Sequence, residues 1–434
     1  MTAEKPLEPQ ILIPPGPPSW STLLRVTGPG YLVAVGYMDP GNWATDLAAG
    51  SHYGYALLWV VALSSLMAML LQSLCCRLGI ATGLDLAQAC RTQLPSAWRL
   101  PLWLLAEVAI VACDLAELVG SAIALELLFH IPLAWGVALT AADTLLLLAL
   151  PRFGLRQLEA VVIALVALVG CCLAIELVWI RPDPLALAAG LVPQASALRD
   201  GHQLYLAAGI LGATVMPHNL YLHSSLVKTR QWPAHPQARH WALRLASTDV
   251  VVALSLAFVV NALILILAGG SFHGALPQPV EDLSQAYHLL TPLLGSSSAS
   301  LLFGIGLLAA GQSSTITGTL AGQVVMEGFL ELQMPRWQRR LLTRSLALIP
   351  ALLTVLWLGD QATNQLLVLS QVVLSLQLPF AVIPLVQLCG RRGLMGDLLA
   401  PRWLQLLGWG CSSLIVLINL SLLSSAVPAL LGGH

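Results

Sequence analysis

Long apolar runs alternate with short polar connections along this chain, and the runs have the length of a membrane crossing rather than of a globular core helix. A helix rises about 1.5 Å per residue, so about 20 apolar residues cross a hydrocarbon layer about 30 Å thick. On that measure the pattern predicts eleven helical spans, at about 24–50, 55–76, 100–128, 131–150, 157–180, 203–227, 248–270, 298–329, 341–358, 363–388 and 404–425. The connections are short, so residues 22–425 read as a single transmembrane domain. Residues 1–21 are proline-rich and lack the apolar core of a signal peptide, and they read as a disordered tail.

Composition agrees with the pattern. The chain is 57% hydrophobic and only 9% charged. Soluble globular proteins carry about 25% charged residues, so most of this surface faces lipid. A net charge of −1 gives no basic surface for nucleic acid. The eight cysteines form neither a CxxC pair nor a secreted disulfide framework. There is no HExxH and no G-x-S-x-G, so neither an enzyme nor a resident cofactor is expected.

Charge then orients the spans. Cytoplasmic segments of membrane proteins are rich in Lys and Arg. With the N-terminus in the cytoplasm, 18 of the 20 basic residues fall on that side, Arg181 and Arg199 being the exceptions. A missed or invented span would scramble this alternation, so the bias also supports the count of eleven. The C-terminus is then outside. Spans 1–5 and 6–10 start in opposite orientations, which makes two inverted repeats, about 22–180 and 203–388, with an extra helix at about 404–425. This arrangement resembles the LeuT-like transporters.

Candidate chemistry lies in the first span of each half. One contains Met38-Asp39-Pro40-Gly41-Asn42, the other Met216-Pro217-His218-Asn219. Proline lacks an N–H and breaks the helical ladder, and in lipid such a break survives only inside protein or beside a watery cavity. Breaks at matching places in two halves point to a transporter binding site. A carboxylate at that depth is unfavourable by about 2.5–3.5 kcal/mol on insertion scales, so Asp39 reads as functional. Asp39 also suits the N-cap of the half-helix after Pro40, and capping and ion binding can coexist. Met216 stands opposite Asp39 when the prolines are aligned. Isolated methionines in membrane helices are mostly apolar filler. Paired with hard oxygens, a soft thioether instead favours Mn²⁺, Fe²⁺ or Cd²⁺ over Ca²⁺ and Mg²⁺. Asn42 offers a carbonyl oxygen, and Gly36 and Ala213 stand one turn before the breaks.

The runs DPGN at 39–42, MPHN at 216–219 and GQSSTITGTLAGQ at 311–323 resemble the natural resistance-associated macrophage protein (Nramp) family over about residues 22–425. The resemblance implies an all-α integral membrane protein with the LeuT-like fold, eleven transmembrane helices, discontinuous helices 1 and 6, and proton-coupled import of divalent metal. It implies metal ligands at Asp39, Asn42, Met216 and the carbonyls of Ala213 and Gly36, with Gln371 joining in occluded states. Gly36 stands where the family usually has alanine, a departure expected to loosen the first half-helix. By itself, the 311–323 run lacks the lysine of a phosphate loop, and its small residues read as a helix-packing face.

For protons, His218 can titrate near physiological pH. Glu107, Asp114 and Glu117 fall within about 80° on one face of span 3, as a relay or an ion-paired stripe would. The resemblance points to Asp114 and Glu117 as a proton exit route with Arg339 and Arg340 as partners, although positive-inside anchoring explains those arginines almost as well. Glu126, Asp143, Glu176 and Asp249 receive no role. The expected partners are a divalent metal, protons and the lipid bilayer of a bacterial inner membrane, with the chain acting as a monomer. Two other readings are an amino-acid transporter on the same fold, disfavoured because Asp39 repels a carboxylate, and a passive metal channel, disfavoured by the acidic stripe.

Overall fold

The apolar runs fold as helices in a computed structural model that describes residues 11–12, 22, 25–147, 155–194, 200–231, 236–296, 298–331 and 335–430. The principal helices are α1 (Pro29–Gly36), α2 (Pro40–Tyr53), α3 (Leu58–Thr82), α4 (Leu86–Gln93), α5 (Arg99–Phe129), α6 (Leu133–Leu147), α7 (Leu155–Ile180) and α8 (Pro184–Gly190). There follow α9 (Gly201–Val215), α10 (Pro217–Leu226), α11 (Pro236–Ser271), α12 (Leu283–Leu294), α13 (Ala299–Leu330), α14 (Arg336–Gln377), α15 (Pro379–Cys389) and α16 (Arg402–Leu430). Among the described residues, seven helices are long and apolar enough to cross a membrane, and Leu133–Ala142 and Ser345–Trp357 are shorter apolar stretches. The pairs α1–α2 and α9–α10 are the two broken spans, which completes the eleven expected. Within the expected tail, Ile11 and Leu12 pair in parallel with Arg230 and Gln231, so that part of it is held against the chain beyond α10.

One boundary differs from the apolar pattern, which predicts spans nine and ten as separate helices at 341–358 and 363–388. Helical backbone instead runs from Arg336 to Gln377 and breaks at Leu378, before Pro379. A straight helix of 42 residues would measure about 63 Å, twice the hydrocarbon thickness. Its contacts describe two passes. Arg339 near its start meets Glu107 at 2.9 Å. Asn364 accepts from the Leu283 amide, beyond the far end of α11. Cys389, at the end of α15, returns to the Leu74 carbonyl. These contacts set Arg339 and Cys389 toward one end of the bundle and Asn364 toward the other; the side chains of 358–362 lie outside the described residues.

Basic side chains converge on one face. Lys228 pairs with Asp85 at 3.0 Å, and Arg91 pairs with Glu331. Arg77 donates to the Leu398 carbonyl and Arg391 to that of Gln93, each at 2.9 Å. Arg156 and Arg230 share Glu159. Asp249, which has no sequence-based role, accepts from the amides of Gly28 and Gly30 at the start of α1. It thus serves the free N–H groups and positive dipole of a helix start.

Small residues let the helices cross closely. A Cβ at Gly311 would overlap Ser121 Oγ of α5, and one at Gly318 would press on Glu117 Oε1. The 311–323 run is therefore a packing face of α13 against α5. A Cβ at Gly50 of α2 would overlap the Leu265 carbonyl of α11, whereas one at Gly410 on α16 meets nothing within 4 Å. Gly50→Ala is therefore expected to destabilise the purified protein by about 1–3 kcal/mol through overpacking. Gly410→Ala should be neutral or stabilising by about 0.5–1 kcal/mol, since alanine suits a helix better. Thermal midpoints of the two variants in detergent check this, and equal midpoints would contradict the close α2–α11 crossing.

Candidate metal site at the two helix breaks

The first break is built by Asp39 and Pro40. Residues 37–39 leave the helix, Asp39 takes an extended conformation (φ −64°, ψ 164°), and its side chain caps α2 by accepting from the Asn42 amide at 2.8 Å. Proline at the first helical position loses only an N–H that has no partner there anyway. The second break is sharper. Met216 both ends α9 and starts α10, at φ 40°, a left-handed value rare for a residue with a Cβ. Such strain is of order 1–3 kcal/mol and persists only where the surroundings impose it.

The breaks meet. Asn42 Nδ2 donates to Asp39 Oδ1 at 2.7 Å and to the Ala213 carbonyl at 3.1 Å. Asn219 Nδ2 lies 3.4 Å from Met216 Sδ. Both of those atoms press against Gly36, where a Cβ would overlap the Asn219 amide. Gly36 thus makes room for Asn219 between the half-helices, a consequence of the departure different from simple loosening. The Gly36 carbonyl receives a long 3.4 Å bond from the Asp39 amide. Gln371 also arrives, since a Cβ at Gly41 would overlap its amide and one at Gly212 its carbonyl. Asp39, Asn42, Ala213, Met216, Asn219 and Gln371 are all essentially without exposed surface. Among the described residues, Asp39 Oδ2, Asn219 Oδ1 and Gln371 Oε1 have no hydrogen-bond partner. A buried polar atom left unpaired is unfavourable by about 1–3 kcal/mol. A cation would recover that loss.

The acidic stripe takes shape beside this cluster. Pro40 packs on Gly120 of α5, and Glu117 and Asp114 follow along that helix, both fully buried against Gly318. Glu107, nearer the basic face, pairs with Arg339, whose guanidinium lies over Gly322. His218 is buried within electrostatic reach of Asp114. The Arg340 side chain lies outside the described residues.

Two features escaped the sequence reading. Asn261 of α11 donates to Asn42 Oδ1 at 3.2 Å, so the Asn42 oxygen faces away from Asp39. A polar chain also joins the breaks from the side. His223 Nδ1 lies 2.9 Å from Gln72 Oε1, Gln72 Nε2 donates to Tyr37 at 2.8 Å, and the Tyr37 hydroxyl reaches the Val215 carbonyl at 3.5 Å. Lone Asn and Gln residues within apolar runs were the available signal, but such residues are also common as simple packing partners.

A broken helix from each of two inverted halves, meeting at one buried cluster, defines a multi-pass membrane protein of the LeuT-like fold. The chain belongs to the Nramp family: the model of the natural resistance-associated macrophage protein-like family matches residues 30–425. It is 56% identical over 413 residues to a divalent metal cation transporter MntH of Nostoc sp., covering 95% of this chain and 93% of the relative. A second such transporter, of Xanthomonas campestris pv. campestris, is 55% identical with the same coverage. These relatives are named as transporters, in keeping with a role other than catalysis. The crystal structure of a manganese transporter of Eremococcus coleocola superposes with a TM-score of 0.89 at 39% identity, covering 99% of this chain and 92% of that one. MhsT in complex with L-phenylalanine aligns at 16% identity with a TM-score of 0.64, over 91% of this chain and 98% of that one, and shares the fold alone.

Proposed function

We propose that the chain imports divalent transition metal ions, Mn²⁺ foremost with Fe²⁺ and Cd²⁺ also accepted, coupled to protons by alternating access. The observation that carries this reading is the convergence of Asp39, Asn42, Ala213, Met216 and Gln371 where both helices stop. The metal would be held by Asp39, the Asn42 side-chain oxygen, Met216 Sδ and the carbonyls of Ala213 and Gly36, with Gln371 completing the cage. The Asn42 amide nitrogen bridges Asp39 and Ala213, where a cation would sit. Binding requires that amide to turn. Asn261 Oδ1, which has no partner among the described residues, can then take the Asn42 N–H₂ if its own amide turns in concert.

Protons would leave along α5, from Glu117 and Asp114 at the depth of the breaks to the Glu107–Arg339 pair near the basic face, with His218 as an exchanging base. Arg340 is assigned as a further partner there. By the positive-inside rule the basic face is cytoplasmic, which places the N-terminus inside and the C-terminus outside a bacterial inner membrane. One chain supplies every ligand, so the working unit is a monomer, with residues 22–425 as one domain.

Asp39→Asn separates capping from binding, because asparagine caps a helix as well as aspartate does. The variant is expected to stay folded and to lose Mn²⁺ uptake into proteoliposomes. Retained uptake would remove Asp39 from the ligand set. Met216→Ala is expected to narrow the preference for Mn²⁺ over Ca²⁺ by about tenfold, about 1.4 kcal/mol, measured by competition with labelled Mn²⁺. Continued exclusion of Ca²⁺ would assign selectivity elsewhere. The paired change Asp114→Asn and Glu117→Gln is expected to flatten the rise of uptake with an inward proton gradient while Mn²⁺ binding persists. An unchanged gradient dependence would take the proton route off α5.

A further inference from the structure

At the face opposite the basic residues, His52, His202 and Glu281 each present a ligand atom, and the three atoms lie within 4.8 Å of one another. They come from three elements. His52 is in the last turn of α2, His202 in the first turn of α9, and Glu281 precedes α12. The first two are therefore at the ends of half-helices remote from the breaks.

The surrounding bonds hold the three in place. The Val280 amide donates to Ser51 Oγ at 2.6 Å, tying the residue before Glu281 to the residue before His52. Asp282, the residue after Glu281, caps α12. The Tyr53 hydroxyl donates to Asp200 Oδ2 at 2.9 Å and lies 3.0 Å from His202 Nδ1. With its proton given to Asp200, Tyr53 can only accept from His202, so the imidazole hydrogen is on Nδ1 and the Nε2 lone pair is left for a ligand bond. Asp200 Oδ1 also accepts from the His202 amide at 3.0 Å, which fixes the carboxyl beside the ring. A carboxylate orienting a histidine through its second nitrogen is the outer support that metal-binding histidines use. His52 Nε2 and Glu281 Oε1 stand 2.5 Å apart, a contact that a metal ion would replace. The Glu281 side chain is 52% exposed, which leaves an open approach from solvent.

We propose that His52, His202 and Glu281 form a second divalent-metal site, separate from the cluster at the breaks, that takes Zn²⁺ or a similar nitrogen-preferring ion. Two imidazoles and one carboxylate are a zinc ligand set with a fourth position for water, and their nitrogen donors disfavour Ca²⁺ and Mg²⁺. An ion there ties α2 to α9 and to the approach to α12. On the alternating-access reading proposed above, and only for this consequence, the clasp opposes opening at that face and slows uptake.

The test begins with equilibrium dialysis of the full-length detergent-purified protein against labelled Zn²⁺. Asp39→Ala is used as the background, so that the transport cluster does not contribute. One bound ion is expected, lost when His52→Ala and His202→Ala are added. Tyr53→Phe in the same background should weaken binding by about 10–100-fold, as loss of an outer support does. No bound ion in the background, or binding that survives both histidine changes, overturns the site. Mn²⁺ uptake by the histidine variants with otherwise native sequence shows that they fold. In proteoliposomes, external Zn²⁺ is expected to slow uptake in a way that excess Mn²⁺ does not relieve, and the histidine variants should escape it. Inhibition relieved by Mn²⁺ and equal in all variants overturns the clasp. Absence of Mn²⁺ uptake in the unmodified protein would instead count against the transport reading and leave the dialysis result standing.

Discussion

In hydrocarbon, a backbone N–H or C=O without a partner is too unfavourable to persist, and the structure follows from where that rule is relaxed. Among the described residues most spans run as continuous helix, with Pro350, Pro384 and the break near Leu378 as the irregularities. Two open at Asp39–Pro40 and Met216–Pro217, and each opening is buried by neighbours rather than exposed to lipid. The freed groups point toward one another. Asp39 answers the amides at the start of α2, the Ala213 carbonyl finds Asn42, and Gln371 arrives from α14. The candidate site is thus made from the defects themselves.

The close packing exists to bring these defects together. Gly120, Gly311 and Gly318 let α5 and α13 close on Pro40 and on the acidic side chains, and Gly212 lets α9 touch the Gln371 backbone. The same contacts set Glu117 and Asp114 beside the cluster without placing them in it. The proposed binding residues and the acidic residues therefore occupy adjacent but distinct layers. A transporter that carries a metal and protons inward along separate routes, as proposed, would need such a division.

Much of this was legible in the amino-acid order because the signals were large. Long apolar runs mark spans whatever their neighbours, proline marks a break, and a carboxylate inside an apolar run is conspicuous. Asp39, Met216 and the α5 acids were singled out on those grounds. What was not legible depends on three-dimensional neighbours. The orientation of the Asn42 amide is decided by Asn261, which is 219 residues away. The effect of Gly36 is decided by Asn219, whose approach no local pattern reveals. The run of helix through 358–362 ignores an expected boundary, because a dip in hydrophobicity does not by itself end a helix. The Ile11–Leu12 pairing with Arg230–Gln231 is equally remote from any local signal.

Met216 is the one residue at either break whose backbone sits in left-handed space, and nothing in its own chemistry favours that. Its conformation is lent to it by α9, α10 and the half-helices around them. The thioether is therefore aimed by the whole assembly, and its position is the first thing a loosened assembly would give up. On the proposed ligand set, damage to distant packing should register as a blurred choice among metal ions well before it registers as unfolding, which would make ion selectivity a finer gauge of this fold's integrity than its melting point.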